Sequence, residues 1–238
     1  MKILVIGGMH GNEPLGIALV KSLAQEPIDN VDAIFANQKA IANDCRFINS
    51  DLNRSFPGDS KSSVYENRRA AEILKMTKDY DLVLDFHNTH CPDNDCGFIG
   101  EISDKILPEI AWLLGLNRII VADYDCINKY ASSCLSVEIS LSSPENDVAL
   151  WRNKIALIAK LINFKVSPVI EQYRFTYRMS LDDKKKIEAF GENLAAFQSI
   201  SPELANKLVV EAPAYPIFIN DKYTPYNYGG ILNRLNNK

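Results

Sequence analysis

The chain has 238 residues, of which 47% are hydrophobic and 24% are charged, a balance typical of a globular protein with a buried core. Its net charge of -4 gives no broad basic field, so nucleic acid and anionic membrane surfaces are not expected partners. Five cysteines, an odd number without a dense disulfide pattern, and the lack of a long apolar run predict a cytoplasmic protein with reduced thiols.

The first predicted strand is the apolar run 2–6, which stops at two glycines. His10 and Glu13 follow it at once, ahead of a helix predicted over 14–25. Two side chains that can bind a metal therefore lie directly after a buried strand. The alternative is that His10 is a surface residue and that Glu13 only interacts with the dipole of the helix.

Predicted strands and helices alternate along the rest of the first 165 residues. The strands are predicted over 31–36, 81–87, 118–121 and 135–139, and the helices over 64–78, 102–114 and 144–163. Glu66 is expected on the solvent side of the helix 64–78. This alternation predicts an α/β fold with a largely parallel sheet flanked by helices.

Ligands of such sheets bind beyond the carboxyl ends of the strands. His10, Glu13 and His87 all fall at such ends, and the chain has only three histidines. Two histidines and one carboxylate make up the ligand set of many catalytic zinc sites, in which a fourth position is left for water.

Glu138 lies in the apolar strand 135–139, where burial would raise its pKa and suit it to act as a general base. Alternatively, it is an edge-strand glutamate that faces water. The polar loop 45–58 contains Arg46, Asn53 and Arg54, whose donors suit an oxyanion and an acidic substrate. The alternative is a surface loop that these arginines tie together with its own acidic and amide side chains.

The character of the sequence changes near Lys165. Residues 172–179 alternate in places, the charge cluster 182–186 is expected to be solvated, and residues 215–219 predict a strand. We therefore predict two domains, an α/β domain over 1–165 and a small, partly β domain over 166–238 that covers the active site.

Four ordered motifs, at residues 7–13, 51–54, 85–89 and 137–138, resemble those of the aspartoacylase and succinylglutamate desuccinylase family of zinc carboxypeptidase-like hydrolases. A fifth segment, 215–220, is similar to a strand near the carboxyl end of that family. The resemblance implies a zinc carboxypeptidase-like fold and a deacylase that cleaves a small N-acyl amino acid.

The family also implies roles for individual residues. His10, Glu13 and His87 would bind one zinc ion, Glu138 would be the general base and acid, and Arg46 would polarise the acyl carbonyl. The implied substrate-binding residues are Asn53, Arg54, Asn88, Lys129 and Tyr223, with Tyr226 as a competitor of Tyr223.

One departure from the family concerns specificity. Relatives of the aspartoacylase type have an arginine shortly before the catalytic glutamate, whereas residues 125–137 offer only Lys129. This departure indicates that the substrate differs from an acyl aspartate while the chemistry is retained. A metallocarboxypeptidase acting on peptides and a non-catalytic protein that binds small acids are the alternatives, and the sequence leaves the formation of a homo-oligomer open.

Overall fold

The computed structural model describes residues 1–161, 169–224 and 227–235, and its elements alternate along the chain. The strands are β1 Ile3–Gly7, β2 Val31–Phe35, β3 Leu82–Thr89, β4 Cys96–Ile99, β5 Arg118–Val121, β6 Cys134–Ser140, β7 Glu171–Met179, β8 Ala214–Ile217 and β9 Gly229–Arg234. The helices are α1 Pro14–Gln25, α2 Gln38–Ala42, α3 Tyr65–Thr77, α4 Leu107–Leu113, α5 Ile127–Tyr130, α6 Val148–Ala159, α7 Leu181–Phe190 and α8 Pro202–Leu208, with a single 3₁₀ turn at Leu52–Arg54.

All nine strands belong to one sheet, in the order β2-β1-β3-β6-β4-β5-β7-β9-β8. Strands β2, β1, β3 and β6 are parallel to one another, so the carboxyl ends of β1, β3 and β6 share one edge. β4 is antiparallel to β6 but parallel to β5, and β7 continues parallel to β5. β9 and β8 complete the sheet in antiparallel fashion. The predicted mixed, largely parallel sheet is confirmed.

Helices cover both faces of the sheet, which explains why β1 is apolar at every position. Alternate residues of a strand point to opposite faces. Ile3 and Val5 belong to a core that includes Trp151 of α6, whereas Leu4 and Ile6 belong to a core on the other face with α3. Because both faces of β1 are buried, all its residues are apolar. A strand with one exposed face would instead alternate polar and apolar residues.

Several predicted elements differ from the observed ones. β4, a strand of four residues over Cys96–Ile99, was not predicted. The helix predicted over 144–163 begins at Val148 because the side chain of Asp147 accepts a hydrogen bond from the amide of Leu150, and residues 162 and 163 lie outside the described part. The helix predicted from 102 starts only at Leu107, directly before Pro108.

One prediction about exposure was wrong, and another was right for all but one of its residues. Glu66 is fully buried on α3, because its carboxylate accepts hydrogen bonds from the backbone amides of Ile48 and Asn49 in the polar loop. The cluster 182–186 lies in α7 and is solvated as predicted, except for Asp183, which is only 1% exposed. Asp183 closes a capping box with Ser180 at the start of that helix, and hydrogen bonds therefore keep it out of water.

β7, β8 and β9 extend the same sheet that contains β1 to β6, through the pairing of β5 with β7. The division into domains near residue 165 stays a prediction, and residue 165 itself lies outside the described part. Within the described ranges, no helix is both long and apolar enough to cross a membrane.

Candidate metal centre

Three neighbouring parallel strands bring the predicted metal ligands together. The loop after β1 carries His10 and Glu13, and β3 carries His87. His87 is paired in register with Glu138 of β6, so the two side chains start at the same level of the sheet. The sequence-based prediction that these residues meet at one edge of the sheet depended only on the strands being parallel, which they are.

The loop that carries His10 and Glu13 is called the ligand loop, and glycines let it lie directly against the helices α1 and α2. A Cβ atom on Gly7 would lie 2.1 Å from the carbonyl oxygen of Gly16 in α1, and one on Gly11 would lie 2.1 Å from the carbonyl carbon of Ala40 in α2. Real Cβ atoms do not approach other atoms so closely, so a side chain at either position would displace the loop. The loop is thereby fixed between α1 and α2.

His10, Glu13 and His87 form a compact, buried cluster. Each offers a ligand atom, and these atoms all lie within 4.8 Å of one another. Nδ1 of His10 lies 2.7 Å from one carboxylate oxygen of Glu13, and Nδ1 of His87 lies 3.0 Å from the other. His10 is 3% exposed and Glu13 is 2% exposed, which argues against the alternative of a surface histidine and a simple helix-start carboxylate.

In both His10 and His87, the second ring nitrogen lies next to an aspartate that the sequence analysis did not identify as part of the site. Nε2 of His10 lies 3.0 Å from Asp51, and Nε2 of His87 lies 2.8 Å from Asp85. A carboxylate on the outer nitrogen fixes the tautomer and leaves the inner nitrogen free to bind a metal. The donor set therefore fits Zn²⁺, for which two histidines and one carboxylate are a common catalytic set.

The charges at the centre are mutually dependent. Burial raises the pKa of Glu13, but the adjacent His10 and His87 outweigh burial and hold that pKa far below its ordinary value. Burial lowers the pKa of His87, but the carboxylates of Asp85 and Glu13 outweigh it and hold that pKa well above the ordinary value. Three carboxylates, those of Glu13, Asp51 and Asp85, thus surround the two imidazoles. They favour the binding of a positive charge between them, either a proton or a metal ion.

Glu138 lies on β6, in the interior of the sheet between β3 and β4, so the edge-strand alternative does not apply. Burial raises its pKa well above the ordinary value, and the charges of Glu13 and Asp221 add to that effect, while His87 and Arg46 oppose it. A carboxyl group with a raised pKa can accept and return a proton near neutral pH.

A cavity of about 260 Å³ begins at the metal cluster and extends along the sheet to β7. Its size suits a small molecule. Of the substrate residues predicted from the sequence, the structure brings four to the lining: Asn53, Arg54, Asn88 and Tyr223. Glu138 and Arg46 also line it.

The sequence analysis gave two alternatives for Arg46, a donor for the substrate in the site and a residue that ties the polar loop together. The contacts of Arg46 fit both. Its guanidinium lies 3.2 Å from the carboxylate of Asp51, which ties the polar loop together. It also lies 3.4 Å from Glu13, so the same group reaches the metal cluster. The loop is therefore held in place by the residues that shape the cavity.

Tyr223 connects the carboxyl-terminal part of the chain to the ligand loop. Its hydroxyl donates to the carbonyl oxygen of Asn12 over 2.9 Å, and its ring lies 4.3 Å from the ring of His90. The backbone amide of Tyr223 donates to Asp221, which also accepts the hydroxyl of Thr89. Tyr226, the competitor for this position, lies outside the described residues.

Lys129 is not among the residues that line the cavity. Its ammonium lies 3.0 Å from Asp125 at the protein surface, so the substrate-binding role predicted for it has no support in this geometry. The lining instead includes Tyr124 and Arg178, neither of which the sequence analysis identified. Arg178 is far from the motifs in sequence and reaches the cavity only through the pairing of β7, so no local pattern marks it.

A sequence model described as the succinylglutamate desuccinylase/aspartoacylase catalytic domain matches residues 1–94. The N-acyl-aromatic-L-amino acid amidohydrolase (carboxylate-forming) of Xenopus laevis is 36% identical over 104 residues, which cover 37% of this chain and 34% of the relative. The aspartoacylase of Mus musculus is 37% identical over 106 residues, with the same coverage of 37% and 34%. The chain thus matches about a third of the length of these curated relatives.

Solved structures with a similar fold cover nearly the whole chain. The succinylglutamate desuccinylase from Chromobacterium violaceum superposes with a TM-score of 0.72 at 18% identity, over 99% of this chain and 85% of that one. Murine aminoacylase 3 gives a TM-score of 0.67 at 19% identity, over 99% and 95%. At this level of identity the likeness establishes the fold, including the strands β7 to β9, and not the substrate.

Proposed function

We propose that this chain is a member of the succinylglutamate desuccinylase/aspartoacylase family and a zinc-dependent hydrolase that cleaves the amide bond of a small N-acyl amino acid. The observation that carries the proposal is the buried cluster of His10, Glu13 and His87 beside Glu138, at the end of a cavity of about 260 Å³. The names of the relatives supply the reaction class, since they are amidohydrolases and acylases.

His10, Glu13 and His87 would hold the metal through two imidazole nitrogens and one carboxylate. Zinc bound by three protein ligands supplies Lewis acidity, which makes water a nucleophile near neutral pH and polarises a carbonyl group. Asp51 and Asp85 keep the two imidazoles oriented for this purpose.

Glu138 moves the proton in the proposed reaction. Its carboxylate takes a proton from the attacking water while the water oxygen bonds to the acyl carbon. Glu138 then gives that proton to the amide nitrogen as the bond between carbon and nitrogen breaks, which releases a carboxylate and an amine. The guanidinium of Arg46, at the same end of the cavity, stabilises the negative charge that develops on the acyl oxygen.

Asn53 and Arg54 are the proposed anchors for the substrate carboxylate, because a guanidinium pairs with a carboxylate through two hydrogen bonds. Asn88 is better described as a support for the site. Its side-chain oxygen accepts the amide of Leu15 and its side-chain nitrogen donates to the carbonyl of Ile139, which links α1 to β6. We also propose the cytoplasm as the compartment, since all five cysteines are free thiols.

A hydrolysis screen of the purified chain tests the proposal. We expect turnover of acetyl, succinyl or formyl derivatives of amino acids, loss of turnover after treatment with a chelator and its return with added Zn²⁺. Peptides with free carboxyl ends are included because their hydrolysis in place of the acyl amino acids would favour a metallocarboxypeptidase. Ligand binding without any turnover at saturating zinc would favour a non-catalytic binding protein.

The variant Glu138→Gln tests the mechanism. We expect turnover to fall by about a thousandfold, within the usual contribution of a general acid and base, while metal analysis still gives about one zinc per chain. Glu101→Gln is the matched control, since Glu101 pairs with Arg174 outside the cavity and should retain full activity. Normal turnover in Glu138→Gln would rule out the proposed role.

A further inference from the structure

We propose that Arg178 on β7 is a specificity-determining residue that binds a second carboxylate group of the substrate, beside the Tyr124 ring in the cavity wall. This inference rests on the proposed function, because it names the kind of N-acyl amino acid that the same site accepts. It concerns a residue that lies outside every motif singled out in the sequence.

A β-bulge brings Arg178 into the cavity. In a regular strand, Phe175 and Arg178 would point to opposite faces, because side chains alternate. The register of β7 against β9 shifts between Phe175 and Tyr177, so two residues of β7 advance while β9 advances by one. Both Phe175 and Arg178 consequently line the cavity.

Gly230 on β9 accommodates this local geometry. A Cβ atom at this position would lie 2.4 Å from the ring of Phe175. Because Gly230 has no side chain, the Phe175 ring has space against β9. Gly230 is also the residue of β9 that pairs with Arg178. Bulges beside binding sites commonly re-aim a side chain in this way.

The charged groups that line the cavity differ in whether they have a partner. The lining carboxylates Glu13 and Asp51 are occupied by the two histidines and Arg46, as described above. The guanidinium carbons of Arg54 and Arg178 lie 4.5 Å and 5.9 Å from the centre of the Tyr124 ring. Among the described residues, no carboxylate forms an ion pair with either of these two guanidinium groups.

Two guanidinium groups that line the same cavity without a carboxylate partner, both near the ring of Tyr124, suit a ligand with two acidic groups. Arg54 follows Asn53 in the polar loop and is the proposed anchor for the first carboxylate. Arg178 comes from a different element and approaches the same ring of Tyr124, so it is placed to bind the second. The walls between them are aromatic, and Tyr124 packs edge-on against Phe175 at 5.6 Å between ring centres.

The second carboxylate can belong to the amino acid or to the acyl group, and three substrates distinguish these sources. N-acetylglutamate has its additional carboxylate on the amino acid, N-succinylleucine has it on the acyl group, and N-acetylleucine has none. We expect wild-type protein to have a higher kcat/KM for one of the two dicarboxylates than for N-acetylleucine, and the preferred one identifies the source.

Arg178→Gln should lower kcat/KM for the preferred dicarboxylate by about tenfold or more, mainly through KM, which is the effect of losing one hydrogen bond to a charged group. The loss for N-acetylleucine should be much smaller. Arg178→Lys should restore part of the preference, because it keeps the charge without the planar fork. Arg174→Gln is the control on the same strand, since Arg174 pairs with Glu101 and does not line the cavity.

Three outcomes would overturn the inference. Wild-type protein could prefer N-acetylleucine over both dicarboxylates, the preference could survive in Arg178→Gln, or this variant could lose the same factor on all three substrates, which would mean that Arg178 shares the first carboxylate. No turnover of any of the three substrates would instead contradict the proposed function. Calorimetric binding of N-acetylglutamate and N-succinylleucine to wild-type and Arg178→Gln protein would then still decide the role of Arg178, and equal affinities in the two proteins would refute it.

Discussion

At the scale of single residues, the proposed metal centre depends on two aspartates as much as on its three candidate ligands. Asp85 accepts from His87 and also from the hydroxyl of Ser136, so its carboxylate is held from two sides. Its other oxygen, Oδ1, is buried and has no hydrogen-bond partner in the described part of the chain. A buried carboxylate of this kind is costly unless it stabilises positive charge nearby.

Asp85→Asn should therefore weaken zinc binding by about 10- to 100-fold, the range observed when such outer partners are changed, because the neutral amide no longer fixes the inner nitrogen of His87 for the metal. Competition with a chelating dye measures this affinity. Asp81→Asn is the control, since Asp81 lies just before β3 and accepts only the exposed amide of Lys2. Unchanged zinc affinity in Asp85→Asn would contradict the assigned role.

The clustering of His10, Glu13 and His87 could be predicted from the sequence, but part of the support around them could not. His10 and His87 each follow or end an apolar run, and parallel strands then bring them together. Asp85 had a local signal as well, because residues two apart on a strand share a face and Asp85 and His87 are two apart. Asp51 had no such signal, since its contact with His10 depends on how the polar loop folds over the site.

At the scale of elements, α3 anchors the polar loop with a buried carboxylate. Glu66 accepts the backbone amides of Ile48 at 2.9 Å and Asn49 at 3.2 Å. Burial raises the pKa of Glu66, but these donors outweigh it and hold the pKa below the ordinary value of 4.5. The loop that carries Arg46 and Asp51 is thus anchored to a helix that contributes no catalytic group.

Glu66→Ala should lower the free energy of unfolding by about 2 kcal/mol, because two backbone amides lose a buried charged acceptor. Glu72→Ala, a change at an exposed ion pair with Arg69 on the same helix, should change it by less than about 0.5 kcal/mol. Urea unfolding measures both values. Equal effects of the two substitutions would show that Glu66 does not anchor the loop.

The contribution of Glu66 should also depend on pH with a definite sign. Because its pKa is lower in the folded than in the unfolded protein, its stabilisation is complete above about pH 4.5 and is lost as the pH falls through the folded value. The difference in stability between wild type and Glu66→Ala should therefore shrink in acid. A difference that grows below pH 4.5 would contradict the assigned charge state.

At the scale of the whole molecule, one sheet joins the segments on both sides of residue 165. β5 pairs with β7 over four residues, and Ile120 of β5 and Tyr173 of β7 belong to the same core as Leu232 of β9. The change in sequence character near residue 165 suggested a boundary because β7 is less apolar than the inner strands. Pairing between distant strands does not appear in such a local pattern.

We expect the chain to unfold in a single cooperative transition, since breaking β5 from β7 would expose part of this shared core. Circular dichroism in the far ultraviolet and tryptophan fluorescence should give coincident thermal curves, because Trp112 and Trp151 both lie before residue 165 and would otherwise report only that part. Two separate transitions would support the division into domains instead.

The spatial order of the last three strands differs from their order along the chain, because β9 lies between β7 and β8. During synthesis on the ribosome β8 therefore emerges before the strand to which it pairs, and it has to wait for β9. The bulge that aims Arg178 also forms against β9. A nascent chain can thus bring its candidate metal ligands together well before it can form the cavity wall that contains Arg178, so the two parts of this site form at different times.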